Sequence, residues 1–234
     1  MIMKSIEKLI AKLKNDPGYK INTNYSSRQF IYILFYRLIQ ILRGFCVKLV
    51  IHSKGIIFCG RRVIIEYGFQ IKAGKSLIIE DGVYLSALSK DGIVFGNNVT
   101  IAKSAVLTCT GVLADKGIGI KIGNNCAIGA QSFLGGQGGI EIMDNVIMGP
   151  QVKIFSENHS YADSTIIIRK QGETRAKVQI QEDCWIGAGT IILAGVTIGA
   201  GSVIAAGSVV TKSIAVKSVV AGVPARFLKS RAGK

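Results

Sequence analysis

The chain has 234 residues, 49% hydrophobic and 18% charged, with 28 glycines and only 3 prolines. That is enough for one sizeable core, and it excludes a disordered chain, whose hydrophobicity is low. The net charge of +15 is uneven, since residues 1–75 carry 14 Lys/Arg against 3 Asp/Glu and the remainder 15 against 11. No helix-turn-helix, zinc-finger or aromatic RNA-binding signature accompanies it, so nucleic acid is not the expected partner.

The opening "MIMKSIEKLIAKLKNDPGYK" alternates charge and hydrophobe and builds no uninterrupted apolar core of the signal-peptide kind, which points to a cytoplasmic protein. Up to residue 52 the pattern is helical. A short amphipathic helix precedes the turn signal Asp16-Pro17-Gly18, and a second follows in "RQFIYILFYRLIQILRGFCVKLV". There Arg37, Gln40, Gly44 and Lys48 fall at i, i+3, i+7 and i+11, one polar stripe on an otherwise apolar helix. The apolar run is broken by Arg37 and reads as too short for a bilayer, which needs about 20 residues. Two roles stay open for this basic, apolar region: peripheral contact with the inner face of an anionic membrane through residues 1–50, or capping the end of the body. The five cysteines (Cys46, Cys59, Cys109, Cys126, Cys184) are odd in number and free of CxxC spacing, as expected of buried thiols in a reducing compartment.

Residues 53–216 form a repetitive body. In "IQEDCWIGAGTIILAGVTIGAGSVIAAGSVVTKSIA" an aliphatic residue recurs every six positions, at Ile180, Ile186, Ile192, Ile198, Ile204 and Val210. The fourth residue after it is mostly small, and glycine recurs one or three residues after it. The same phase returns in "FGNNVTIAKSAVLTCTGV", "IGNNCAIGAQSF" and "IMDNVIMGPQVKIFSENH", and more loosely in "IEDGVY" from Ile79. Neither a period of 2 nor one of 3.6 yields six. A three-sided solenoid does: each hexapeptide makes a short strand and a corner, three close a coil, and coils stack at the inter-strand spacing of about 4.8 Å. The aliphatic residue points into the prism, and glycine supplies the positive φ of the corners.

A solenoid carries function where its period fails, because an insertion must leave the prism as a loop. The largest interruption runs from about residue 156 to 178 and contains His159, one of two histidines. The order of motifs, "MGPQVKIFSENHSYAD", "CWIGAGT", the repeats, then "VVAGVPARFLK", resembles the hexapeptide-repeat acyltransferases over roughly residues 93–230. The likeness is to the galactoside and maltose O-acetyltransferase branch and to capsule and lipopolysaccharide O-acetyltransferases. It implies an all-β fold, a left-handed parallel β-helix behind a short helical N-terminal region (1–52), with a basic tail from 217 to 234. It also implies direct transfer of an acetyl group from acetyl-CoA to a sugar hydroxyl in surface-polysaccharide synthesis, in a homotrimer with the cofactor between subunits. His159 is then the general base, a role that imidazole suits near neutral pH.

By the same resemblance, Gln131 stands where the family places an acceptor-holding Asn, and Trp185 lies beside the thioester. The backbones of Ala188 and Ala206 meet the pantetheine arm, Thr211 and Lys212 lie near the nucleotide, and Arg226 and Lys229 offer charge to its phosphates. Glu157 and Asp163 are candidates to orient His159, or else solvated loop charges. A metal is not expected, since a zinc site of the carbonic anhydrase type needs three histidines and only His52 and His159 exist. Two other functions stay open: N-acetylation of an amino sugar or small amine, and a binding solenoid without an active centre.

Overall fold

The protein is described by a computed structural model for residues 6–7, 10–11, 18–21, 25–112 and 114–231. The short helix expected before Asp16 lies largely outside the described residues.

Three sheets form the faces of a triangular prism. The first stacks seven parallel strands from His52–Ser53 to Thr197–Ile198, and the third stacks seven from Ile64–Glu66 to Val209–Val210. The second begins at Ile56–Cys59 and ends with Ser218–Ala221 and the antiparallel Arg226–Ser230. The chain visits the faces in rotation, one strand each, so seven complete coils stack into a left-handed parallel β-helix. Register is strict: Ile120, Ile140 and Val178 stand directly over one another on the first face, and Leu107, Leu134 and Ile154 on the third.

The six-residue phase is the core. Ile180, Ile186, Ile192, Ile198, Ile204 and Val210 are all completely buried, as are Ile79, Leu85, Ile101, Leu107, Ile128 and Ile154 in earlier coils. The small residue that follows points inward too, and its hydroxyl satisfies a corner carbonyl: Thr190 donates to Gly187, Ser208 to Ala205 and Ser202 to Ala215. On the first two faces, the third residue after the aliphatic takes the left-handed backbone conformation, as does the one after Ile192 on the third. Late coils place Gly189, Gly195, Gly201 and Gly207 there, while earlier ones use Asn98, Asn125, Gln131, Asn145, Gln151 and Asp183 at φ between 54° and 61°. Asn and Asp tolerate that region through local hydrogen bonding. Stacked side chains add a ladder along the edge, with Asn98 donating to Asn125 and Asn125 to Asn145 at 3.0 and 3.2 Å.

The first coil would leave a strand edge open, and a helix covers it. This helix, α1 (Ser27–Val47), starts at a capping box in which Ser26 and Gln29 satisfy each other's backbone N–H. It is 21 residues long, enough by length and composition to cross a bilayer, where the sequence pattern had indicated too short a run. Its orientation reverses the usual amphipathic arrangement. The polar stripe faces the solenoid: Gln40 and Gly44 are buried, and the Arg37 guanidinium donates to Gln40 and stands 5.8 Å from the Phe58 ring. Tyr36 donates to Asp81. A Cβ on Gly44 would come within 1.8 Å of the Ile57 carbonyl oxygen, so glycine alone lets the helix lie on the edge strand.

At the other end, the segment read as a basic tail is ordered. Ser218–Ala221 continues the second face, and Arg226–Ser230 folds back antiparallel upon it, sealing that edge. Cys59, Cys109, Cys126 and Cys184 are buried, and burial pushes the Cys109 and Cys126 thiols up to about 12 and about 11. Cys46 differs from expectation: it lies on the outer side of α1 and is exposed.

Replacing Ile186 by Ala removes one stacked side chain from a prism that cannot collapse around the gap. Urea unfolding is expected to show a loss of about 2–5 kcal/mol. Gly44→Leu is expected to lift α1 off the first coil, read as new protease cleavage between residues 47 and 56, while the far-UV β-signal of the solenoid persists.

Candidate active site

The prism corner between the third and first faces is where the chain departs twice. Hexapeptide phase is lost after Phe155 and regained at Val178, and the excursion includes an antiparallel hairpin of Glu157–His159 with Glu173–Arg175. The second departure, residues 109–119, lies two coils earlier on the same corner, between Val106–Thr108 and Ile120–Ile122. Its signal was in the sequence, since the aliphatic phase jumps from Leu107 to Ile122, but the larger interruption alone stood out.

Arg175 ties the two excursions together. Its Nε donates to Glu157 at 2.6 Å, its guanidinium pairs with Asp115 at 2.9 Å and also reaches the Asp115 and Lys116 carbonyls. With Glu157 and Arg175 side chains only 19% and 18% exposed, this pair is shielded more than an ordinary surface ion pair. The hairpin foot is fixed by Ser156, fully buried, whose hydroxyl donates to the Gly135 carbonyl and accepts from the Gly138 N–H.

Opposite His159 on the hairpin stands Glu173. The imidazole Nδ1 lies 3.9 Å from its carboxylate, ion-pair range and within a small rotation of a hydrogen bond. The carboxylates favoured from the sequence are engaged elsewhere. Glu157 is taken by Arg175. Asp163 accepts from the Thr165 hydroxyl and N–H, bonds that hold its carboxyl below the usual range and close a turn. Glu173 could not have been paired with His159, nor Arg175 with Glu157, from spacing alone, because thirteen residues lie between His159 and Glu173 and only the strand register joins them.

The remaining predicted residues lie on other sides of the prism. Trp185 projects from the second face, 57% exposed, opposite the hairpin corner. Gln131, Ala188 and Ala206 lie along the corner between the second and third faces, with Gln131 accepting from Gln151. Ala188 and Ala206 are exposed, and among the described residues neither backbone N–H donates to another group. Gly149 and Gly187 sit beneath them so closely that a Cβ would touch their backbone. Thr211 and Lys212 occupy the hairpin corner two coils on, whereas Arg226 and Lys229 lie on the terminal strand of the second face. One chain therefore separates His159 from Trp185, Gln131 and the two alanines. A groove of about 210 Å³ runs from the hairpin foot onto the first face, lined by Asp91, Ile118, Lys121, Glu141 and Lys177 among others. Its Glu141 carboxyl is lowered by the hydrogen bond from Lys177, and His159 does not line it.

The bacterial transferase hexapeptide family (six repeats) matches residues 177–212, and the hexapeptide repeat of succinyl-transferase matches residues 119–149. Within those two stretches the chain is similar to the hexapeptide repeats of transferases. Among curated proteins, this chain is 33% identical over 112 residues to a probable acetyltransferase of Mycobacterium tuberculosis, a match covering 48% of this chain and 37% of that relative. It thus aligns with little more than a third of the relative's length. Among solved structures it is similar to AntD, an N-acyltransferase from Bacillus cereus, in complex with dTDP and coenzyme A: TM-score 0.57, 22% identity, 90% of this chain and 92% of that one. The AntD complex with dTDP and 3-hydroxybutyryl-CoA gives 0.53 and 21%, covering 90% and 91%. At that identity the likeness is one of fold.

Arg175→Met removes the tie between the two excursions. Hydrogen exchange is expected to speed up at hairpin amides such as Ser160, while amides of the coil strands keep their protection.

Proposed function

We propose that this protein transfers an acetyl group from acetyl-CoA to a sugar hydroxyl, with His159 as general base, in the synthesis of a surface polysaccharide. The observation that carries it is the His159–Glu173 pair on a hairpin rooted in a hexapeptide corner. A carboxylate at Nδ1 favours the tautomer with its proton there and leaves Nε2 as the acceptor. The sugar oxygen attacks the thioester carbonyl carbon as Nε2 takes its proton; the C–S bond then breaks, and the imidazolium returns the proton to the leaving thiolate. Unpaired backbone N–H groups such as those of Ala188 and Ala206 suit the amide carbonyls of a pantetheine arm, and Arg226 and Lys229 suit its phosphates.

The site is divided between two sides of the prism, so the reading includes a homotrimer. In a cyclic assembly the contact is heterologous, and the hairpin corner of one subunit meets the second face of the next. The excursion has the surface for such a contact: Ile166, Ile167 and Ile168 at its tip are 45%, 64% and 57% exposed. Mass measured by light scattering is expected at three times the 25.0 kDa chain. Expression in the cytoplasm belongs to the same proposal, since acetyl-CoA is a cytoplasmic donor.

The test is thiol release from acetyl-CoA against a panel of sugars and amino sugars. His159→Ala is expected to lower kcat by about 10²- to 10⁴-fold. Glu173→Gln is expected to give a smaller loss in kcat with little change in KM. Full activity in His159→Ala overturns the mechanism. Turnover confined to the amino sugars would favour the N-acetyl reading, and absence of any thermal shift at saturating acetyl-CoA would favour a binding solenoid.

A further inference from the structure

We infer that the helix-capped end of the solenoid is a docking surface for an anionic lipid bilayer. The inference stands on α1 and the first coil and is independent of the catalytic reading.

Helices on soluble bodies bury their apolar side, and α1 does the opposite. Its inner face is spent on Gly44, Gln40, Arg37 and Tyr36, which lie against the first coil and Asp81. The outer face carries Ile31, Tyr32, Phe35, Leu38, Leu42 and Phe45, each between 53% and 70% exposed. Leu49, just beyond the helix, is 86% exposed, and the first coil adds Ile64 and Phe69 at 55% and 68%. An apolar surface of this continuity on one end of a molecule marks an interaction site.

Charge decides the occupant. Exposed Lys54, Arg61, Arg62, Lys72 and Lys75 surround the same end, on the first coil and the strand stacked directly upon it. Between residues 25 and 75 the single acid is Glu66, and its carboxylate accepts from the Tyr84 hydroxyl at 2.6 Å. Asp81, nearby, is engaged by Tyr36 and the Arg61 N–H. An apolar ridge with aromatic residues, rimmed by five exposed cations against the carboxylates of Glu66, Glu80 and Asp81, matches the acyl–headgroup boundary of an anionic membrane. A protein partner would need an acidic rim around an apolar groove, whereas the bilayer presents both features everywhere. The helix would lie in the plane of the interface, because its inner face remains bound to the coil.

The experiment is flotation of the full chain with vesicles of phosphatidylglycerol and phosphatidylethanolamine, and with phosphatidylcholine vesicles, at 0.1 M salt. Binding is expected to the anionic vesicles and to be weak on the neutral ones. Leu38→Glu with Leu42→Glu is expected to weaken partitioning about a hundredfold, as the transfer of two leucine side chains is lost. Arg61→Glu with Arg62→Glu is expected to weaken it about tenfold or more on anionic vesicles only. Melting and light scattering of each variant check the free protein. Failure of the wild type to float with anionic vesicles overturns the inference, as does equal flotation by the leucine variant. A lowered melting midpoint or a smaller particle in the leucine variant also overturns it, because the face would then be packed against the chain itself or a second copy.

Discussion

The structure depends on one constraint: every coil must hydrogen-bond to the coils above and below it while placing an aliphatic side chain at each face inside a narrow prism. Parallel register enforces both at once, so Ile120, Ile140 and Val178 are stacked in space although far apart in sequence. Stacked branched side chains fill the interior, and corner carbonyls are met by the hydroxyls of Thr190, Ser202 and Ser208. In such a solenoid each coil contacts only its neighbours, which makes the wall regular and the ends vulnerable. The two ends are accordingly closed by different devices, α1 at one and an antiparallel strand at the other.

The same constraint says where chemistry is possible. Within a coil every side chain is either buried or part of a flat face, so a mobile catalytic group needs an excursion. Two excursions leave the same corner, and Arg175 makes them one unit through Glu157 and Asp115. That unit holds His159 and Glu173 face to face. The flat wall on the opposite side offers a different resource, backbone N–H groups of Ala188 and Ala206 that make no hydrogen bond among the described residues, above coils that only the glycines beneath let pack so closely. A hairpin with a base and a wall with amide donors are complementary halves, and a single prism keeps them apart. This is why the proposed chemistry and the proposed trimer are one argument.

Much of the site was legible in part only. His159 stood out because the period fails around it, whereas Trp185, Gln131, Ala188 and Ala206 came from the family resemblance alone. The carboxylate facing His159 was not legible, since Glu157 and Asp163 are nearer in sequence but Arg175 and Thr165 claim them. The break at residues 109–119 was readable as a lost phase, yet its partnership with the hairpin was not, because it rests on one long-range guanidinium. The polar stripe of α1 was correctly read as a stripe, but periodicity cannot say which face meets the coil. Here a glycine and a backbone carbonyl in close approach made the decision, against hydrophobicity.

The sequence by itself determined the solenoid, its core row and its corners, because each is a local pattern repeated every six residues and burial responds to that pattern directly. Tertiary structure alone decided the partner of the histidine, the joining of two loops and the outward turn of the apolar helix. Each of these depends on groups brought together across coils, where distance along the chain carries no information and geometry selects among equally plausible neighbours.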